Sequence, residues 1–142
     1  MSEDPKAYAI AYVAAAFVML GLDSIWLTLT ANSLYRPLIG DLMLDGFRPA
    51  PAVAFYGLYL VGIVVFAIRP AFISGRWATA LGWGAMFGFF AYGTYDLTNQ
   101  ATLKIWSTVI TTADMAWGSA LTALSAAAGY WAASRLTRVR GR

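Results

Sequence analysis

The sequence predicts an all-α fold: a four-transmembrane-helix bundle in a single integral membrane domain, residues 1–142, with both termini in the cytoplasm. Three observations predict it. Of 142 residues, 60% are hydrophobic and 12% charged, against about 25% charged in an average soluble domain. A soluble chain this short could not hide so much apolar surface. The apolar residues fall into four runs, each long enough to cross a bilayer with modest tilt. The basic residues are shared unequally between the two sides that four crossings create.

The first span runs from Ala7 to about Thr30 and holds one charge, Asp23. A secretory signal has a shorter apolar core followed by a small-residue cleavage site, so this run reads as a retained helix. The second runs from Pro51 to Ile68; Pro51 suits a first helical turn, and Pro70 is expected to end the span after Arg69. The third, Trp77 to about Leu97, is glycine-rich and aromatic. The fourth runs from about Thr111 to Ala133, with Thr111 and Asp114 at the spacing of a capping box. Between spans, Asn32 to Ala50 is the longest connection. Its Pro37–Leu44 stretch reads either as a short amphipathic helix on the outer leaflet or as an ordinary surface loop. Pro70 to Arg76 reads as a tight cytoplasmic turn, and Gln100 to Ile110 as a short polar link with Lys104 and Trp106 at interface depth.

Lys6, Arg69, Arg76 and the tail arginines Arg135, Arg138, Arg140 and Arg142 would lie on one side, and Arg36, Arg48 and Lys104 on the other. That bias of seven to three places both termini in the cytoplasm. The net charge of +3 is therefore topological, and no nucleic-acid partner is expected. The expected partner is the lipid bilayer.

Absences exclude much chemistry. With no cysteine there is no disulfide, thiolate metal site or cysteine nucleophile. With no histidine there is no imidazole base and no histidine-ligated zinc, haem or di-iron centre. No cofactor and no metal centre is expected.

Three aspartates, Asp23, Asp96 and Asp114, stand inside the apolar runs, and no lysine or arginine of those runs is placed to pair with them. A carboxyl group at such a depth is a functional-site candidate. At 1.5 Å per residue, Asp23 lies about 24 Å and Asp96 about 28 Å from the cytoplasmic start of their spans. The hydrocarbon core is about 30 Å thick, so both sit near its outer boundary. Asp114 is one turn into a span that begins there. The candidate ligand pocket comprises these three acids with Trp26, Tyr56, Tyr95, Asn99 and Trp117, whose indole, hydroxyl and amide groups can donate to carboxylates. Each acid has a plainer reading beside this one. Asp114 suits a helix cap, and Asp96 a structural hydrogen bond to a neighbouring helix, although the dipole at a helix C-terminus opposes its charge. Asp23 lies deep enough for burial in the bundle rather than exposure to lipid. Ser24 and Ser119 stand close by in sequence. Tyr56 and Tyr59 read as a pocket wall or as plain packing.

Gly84 and Gly88, with Ala116, Ala120 and Ala123 on the fourth span, allow close helix approach. Packing within one copy of the chain is the first reading and a homo-oligomer contact the second. Trp77, Trp106 and Trp131 read as interface anchors.

The strings LDSIWL, SLYRPLIG, AFYGLYLVGIVVFAI, AYGTYDLTNQATLKIW and TTADMAWGSALTAL resemble the bacterial membrane family catalogued as domain of unknown function 2177. The resemblance covers about Ala7 to Tyr130, and it implies a small four-helix protein of the bacterial inner membrane. It implies no activity, cofactor or catalytic residue. It does place Asp23, Trp26, Tyr35, Arg36, Tyr56, Tyr95, Asp96, Asn99, Asp114 and Trp117 at motif positions.

The function expected is the binding or transport of a small molecule or cation through an acidic and aromatic pocket that opens outward. Two other classes stand beside it. One is a membrane enzyme acting on lipid through paired carboxylates, which can serve as acid and base or hold Mg²⁺. The other is an accessory protein whose acids only tie helices together. The catalytic residues of any enzyme reading are unassigned, because Ser24 has no evident base.

Overall fold

Residues 4–138 are described by a computed structural model. Four helices account for most of them: α1 (Pro5–Leu42), α2 (Pro49–Ser74), α3 (Trp77–Thr102) and α4 (Thr108–Arg138). No strand occurs among the described residues. Arg140 and Arg142 of the basic tail, and the side chain of Arg138, lie outside the described residues.

Each helix starts where local chemistry allows it. Asp4 caps α1 by accepting from Lys6 N at 2.9 Å, and Pro5 occupies the first turn, where its missing N–H costs nothing. Pro49 opens α2 in the same way. Gly75, with φ 69°, ends α2 in the left-handed conformation, its N–H returning to Ala71 O at 2.8 Å. Ser107 starts α4: its Oγ accepts from Val109 N at 3.2 Å.

Three expected boundaries are corrected. α1 does not stop near Thr30: it widens into a π turn at Ala31–Tyr35, re-forms at Arg36–Ile39 and tightens into a 3₁₀ turn at Gly40–Leu42. Much of the expected Asn32–Ala50 connection is therefore helix. Pro70 does not end α2, which continues to Ser74. A π turn at Val64–Ile68 lies just before the proline, and Arg69 N reaches back to Val64 O. Widening the helix there accommodates the ring and the missing N–H. Finally, α4 starts one turn before Thr111, so the Thr111–Asp114 capping box does not form. Thr111 Oγ1 instead donates to Gln100 Oε1 at 2.8 Å and accepts from Trp106 Nε1 at 3.1 Å, closing the α3–α4 connection.

Consecutive helices run antiparallel, and α4 is the central one. Its closest approaches are to α3 and α1, at positions without side chains. A Cβ on Gly88 would stand 2.1 Å from Gly118 O, and one on Gly84 2.9 Å from Ala123 Cα. A Cβ on Gly129 would stand 2.7 Å from Ala11 O. On α1 the buried residues recur every fourth position, Ala7, Ala11, Ala15, Met19 and Asp23, forming a narrow small-residue stripe against α4. The Gly84–Gly88 pair is thus consumed inside one copy of the chain. On α4 the seam is Gly118, Thr122, Ala123 and Ala126; Ala116 and Ala120 point outward, contrary to expectation.

The packing is inverted relative to a water-soluble domain. Phe17 (82% exposed) and Leu58 (74%) face outward, whereas Asp96 is completely enclosed. Large apolar side chains outside and small or polar ones inside suit a hydrocarbon solvent. α1 and α2 are long and apolar enough to cross a membrane.

Gly88→Ala should destabilise the detergent-solubilised protein by about 1–3 kcal/mol, because the added methyl meets backbone. Gly82→Ala, with nothing within 4 Å, should be neutral or stabilising by up to about 1 kcal/mol. Thermal melts of the two variants check the contrast.

Candidate functional site

The four helices bring Asp23, Asp96 and Asp114 together as two unequal arrangements. Asp23 on α1 is fully served. The Tyr56 hydroxyl of α2 donates to its Oδ2, and Trp117 Nε1 of α4 donates to Oδ1 at 3.2 Å. One carboxylate thereby ties three helices. Asp114 on α4 accepts from the Tyr35 hydroxyl of α1, and that hydroxyl in turn accepts from Trp26 Nε1 at 3.0 Å. The Trp26 and Trp117 rings stack at 4.6 Å with 7° between planes, joining the two arrangements.

The π turn of α1 makes the second arrangement possible. Trp26 and Tyr35 are nine residues apart. In a regular helix of 3.6 residues per turn they would be about two and a half turns apart, on opposite faces. The extra residue of the π turn at Ala31–Tyr35 swings Tyr35 back toward the bundle.

Asp96 on α3 differs from both. It has no exposed surface, and neither of its oxygens receives an N–H or a protein hydroxyl. The polar group beside it is the carboxyl of Asp114. Two carboxyl groups can hydrogen-bond only if one carries a proton. An ionised carboxylate enclosed without a donor is among the costliest groups a protein can hold. Two acids this close influence each other's hold on a proton.

Beside this pair lies a cavity of about 340 Å³ between α2, α3 and α4, bordered by Phe55, Tyr59, Ala91, Tyr92, Tyr95 and Asp114. Tyr59 is held in place by its hydroxyl, 2.8 Å from Thr122 Oγ1, and by its stack on Phe87. Tyr95 is 60% exposed at the mouth, edge-on to Trp106 at 5.8 Å. A larger groove of about 680 Å³ runs between α1 and α4, lined by Val13, Phe17, Trp131 and other apolar residues. It contains no ionisable group, so its chemistry is that of a surface for acyl chains.

The sequence profile of a family described as predicted membrane proteins, DUF2177, matches residues 8–131. The chain belongs to this family. No curated protein and no solved structure matches it. As a DUF2177 member it is a membrane protein; the description gives no reaction or ligand, so chemistry must come from the side chains.

Of the expected pocket residues, Asp96, Asp114 and Tyr95 stand at or beside the cavity. Asp23, Tyr56 and Trp117 form the neighbouring cross-link, and Trp26 connects to Asp114 through Tyr35. Neither tryptophan serves the acid three residues before it; each donates elsewhere. Asn99 stays at the periphery, its side chain against Tyr95. Ser24 faces outward, and the Ser119 hydroxyl turns back to Met115 O at 2.9 Å, so neither addresses the acids. Among the described residues, no three acidic groups converge as a metal cage. Sequence reasoning left Tyr35, Tyr92 and Phe55 out of the pocket. Tyr35 was assigned to a loop, and its family-motif position beside Arg36 was the signal that pointed to it.

Asp23→Asn retains a hydrogen-bond acceptor and should cost under about 1 kcal/mol, in line with interhelical polar contacts in membranes. Asp23→Leu strands the Tyr56 hydroxyl and the Trp117 indole, at about 1–3 kcal/mol for each unsatisfied donor. Urea or SDS unfolding of the two variants measures the difference.

Proposed function

We propose that this DUF2177 protein is a multi-pass protein of the bacterial inner membrane, with both termini cytoplasmic. We further propose that it binds, and in a transport-type role releases, a small molecule or cation at the Asp96–Asp114 pocket. The observation that carries this reading is Asp96, enclosed and lacking any N–H or hydroxyl donor next to a cavity that Asp114 borders. Helix cross-linking accounts for Asp23, whose oxygens are both served. It leaves unexplained why Asp96 is buried with only another acid beside it, without the N–H and hydroxyl that serve Asp23. An enzyme working through two carboxylates needs both to reach substrate, and the enclosure of Asp96 withdraws one of them.

The topology rests on arginines and lysines. Arg69 and Arg76 flank the α2–α3 turn at the end of the bundle where α1 starts and α4 finishes. Arg48 and Lys104 belong to the opposite end, toward which the three acids lie. The positive-inside rule then turns the pocket toward the periplasm.

The native chain has no cysteine, so single-cysteine labelling is clean. Gly46→Cys in intact cells should react with a membrane-impermeant maleimide, and Ser74→Cys should react only after lysis. The reverse pattern would invert the topology. For the pocket, Asp96→Asn and Asp114→Asn should leave the protein folded in detergent. Tryptophan fluorescence should respond to at least one of a panel of amines, divalent cations, polyols and lipid headgroups, with the response lost in Asp114→Asn. If none of the panel perturbs the wild type, the ligand-binding reading fails.

A further inference from the structure

We propose that the cavity is a site for an organic ammonium ion, with Asp114 as its counter-charge and tyrosine and phenylalanine rings as its walls. The proposal deepens the pocket reading above and rests on it. Asp96 supplies the starting point. A fully enclosed carboxyl with no N–H or hydroxyl donor is tolerated when it holds a proton, and the group placed to accept that proton is Asp114. Asp114 also accepts from the Tyr35 hydroxyl. The hydrogen bond donated by Tyr35 is the contact that would stabilise a charge on Asp114. Of the pair, Asp114 is the member that borders the cavity, and the proposal assigns the one negative charge to it.

The remaining walls select among cations. Phe55, Tyr59, Tyr92 and Tyr95 offer ring faces and edges, and Ala91 leaves room between them. Ring faces attract a diffuse cation, and more strongly when water is excluded. A divalent metal ion needs several oxygen ligands at short range, and no group of three acidic side chains among the described residues provides them. A polyhydroxyl ligand needs many free donors and acceptors, but the hydroxyls of Tyr59 and Tyr35 are already engaged with Thr122 and Asp114. At about 340 Å³ the cavity falls within the range of small-ligand pockets. Phe55 and Tyr95 are exposed at its rim, on the side of the bundle where α2 and α3 face outward, so an amphiphilic amine can arrive from the bilayer.

Arg36 follows Tyr35 on α1 but is exposed, and among the described residues no lysine or arginine forms an ion pair with Asp114. The groups facing Asp114 are Asp23 and Tyr35 from α1, Tyr59 from α2, and Asp96, Tyr92 and Tyr95 from α3. None of them is cationic. A bound ammonium ion would supply the missing positive charge, and a proton would compete with it for Asp114.

The test uses the full chain in nanodiscs, titrated with tetraethylammonium and choline while tryptophan fluorescence is followed. Choline's neutral tert-butyl isostere, Mg²⁺ and glycerol serve as comparison probes. Both ammonium ions should bind saturably, at least tenfold more tightly than the isostere, and more weakly as pH is lowered. Asp114→Asn should weaken ammonium binding tenfold or more, and Tyr95→Leu severalfold. Asp45→Asn, which removes an equal charge from an exposed connection, should not change it. Equal binding of ammonium and isostere, or an Asp114-dependent response to Mg²⁺ or glycerol instead, overturns the ammonium assignment while sparing the pocket. Silence of the folded wild-type protein toward every probe overturns the pocket itself.

Discussion

A carboxyl group taken out of water must find a donor or keep a proton, and this bundle is organised around that requirement. Three such groups are carried by three different helices. Asp23 meets the requirement with a phenol and an indole, and Asp114 with a phenol and a second carboxyl. Asp96 meets it only through Asp114. The contacts of Asp23 with Trp117, of Asp114 with Tyr35 and of Asp96 with Asp114 all depend on α4 standing between α1 and α3 at backbone distance. The glycines at positions 84, 88, 118 and 129 are therefore as much a part of the site as the acids are.

The two π turns follow the same logic. Each inserts one residue into a long helix, and each sits where a regular helix would fail. The turn at Val64–Ile68 lets α2 carry Pro70 without breaking. The turn at Ala31–Tyr35 re-aims Tyr35 across the bundle to Asp114. Helix irregularities of this type are often found at functional positions, and the second one here has a definite geometric consequence.

Much of the architecture could be read directly from the letters. The helical bundle and the internal use of Gly84 and Gly88 follow from length and residue size. What could not be read has physical causes. A π turn leaves no composition signature, so α1 was expected to end at Thr30 and Tyr35 to lie in a loop. Thr111 and Asp114 fit a capping box locally, but Ser107 competes for the helix start and wins. Helix rotation was also out of reach. In a membrane helix the outward face is as apolar as the core, so periodicity does not say which side turns inward. For that reason Ala116 and Ala120 were assigned to the seam, and the pairing of Asp96 with Asp114 rather than Asp23 could not be foreseen.

The seams of α4 are built from glycine and alanine, which give up almost no rotamer freedom on packing. The side of the bundle formed by α2 is built differently. It is held by Tyr56, Tyr59, Phe72 and their ring partners, side chains whose ordering carries an entropic cost. α1, α4 and α3 meet at backbone distance, whereas α2 meets them through large side chains. Because Phe55 and Tyr59 belong to α2, one wall of the cavity is set by large side chains, whereas two of the acids stand on helices seated against each other's backbone.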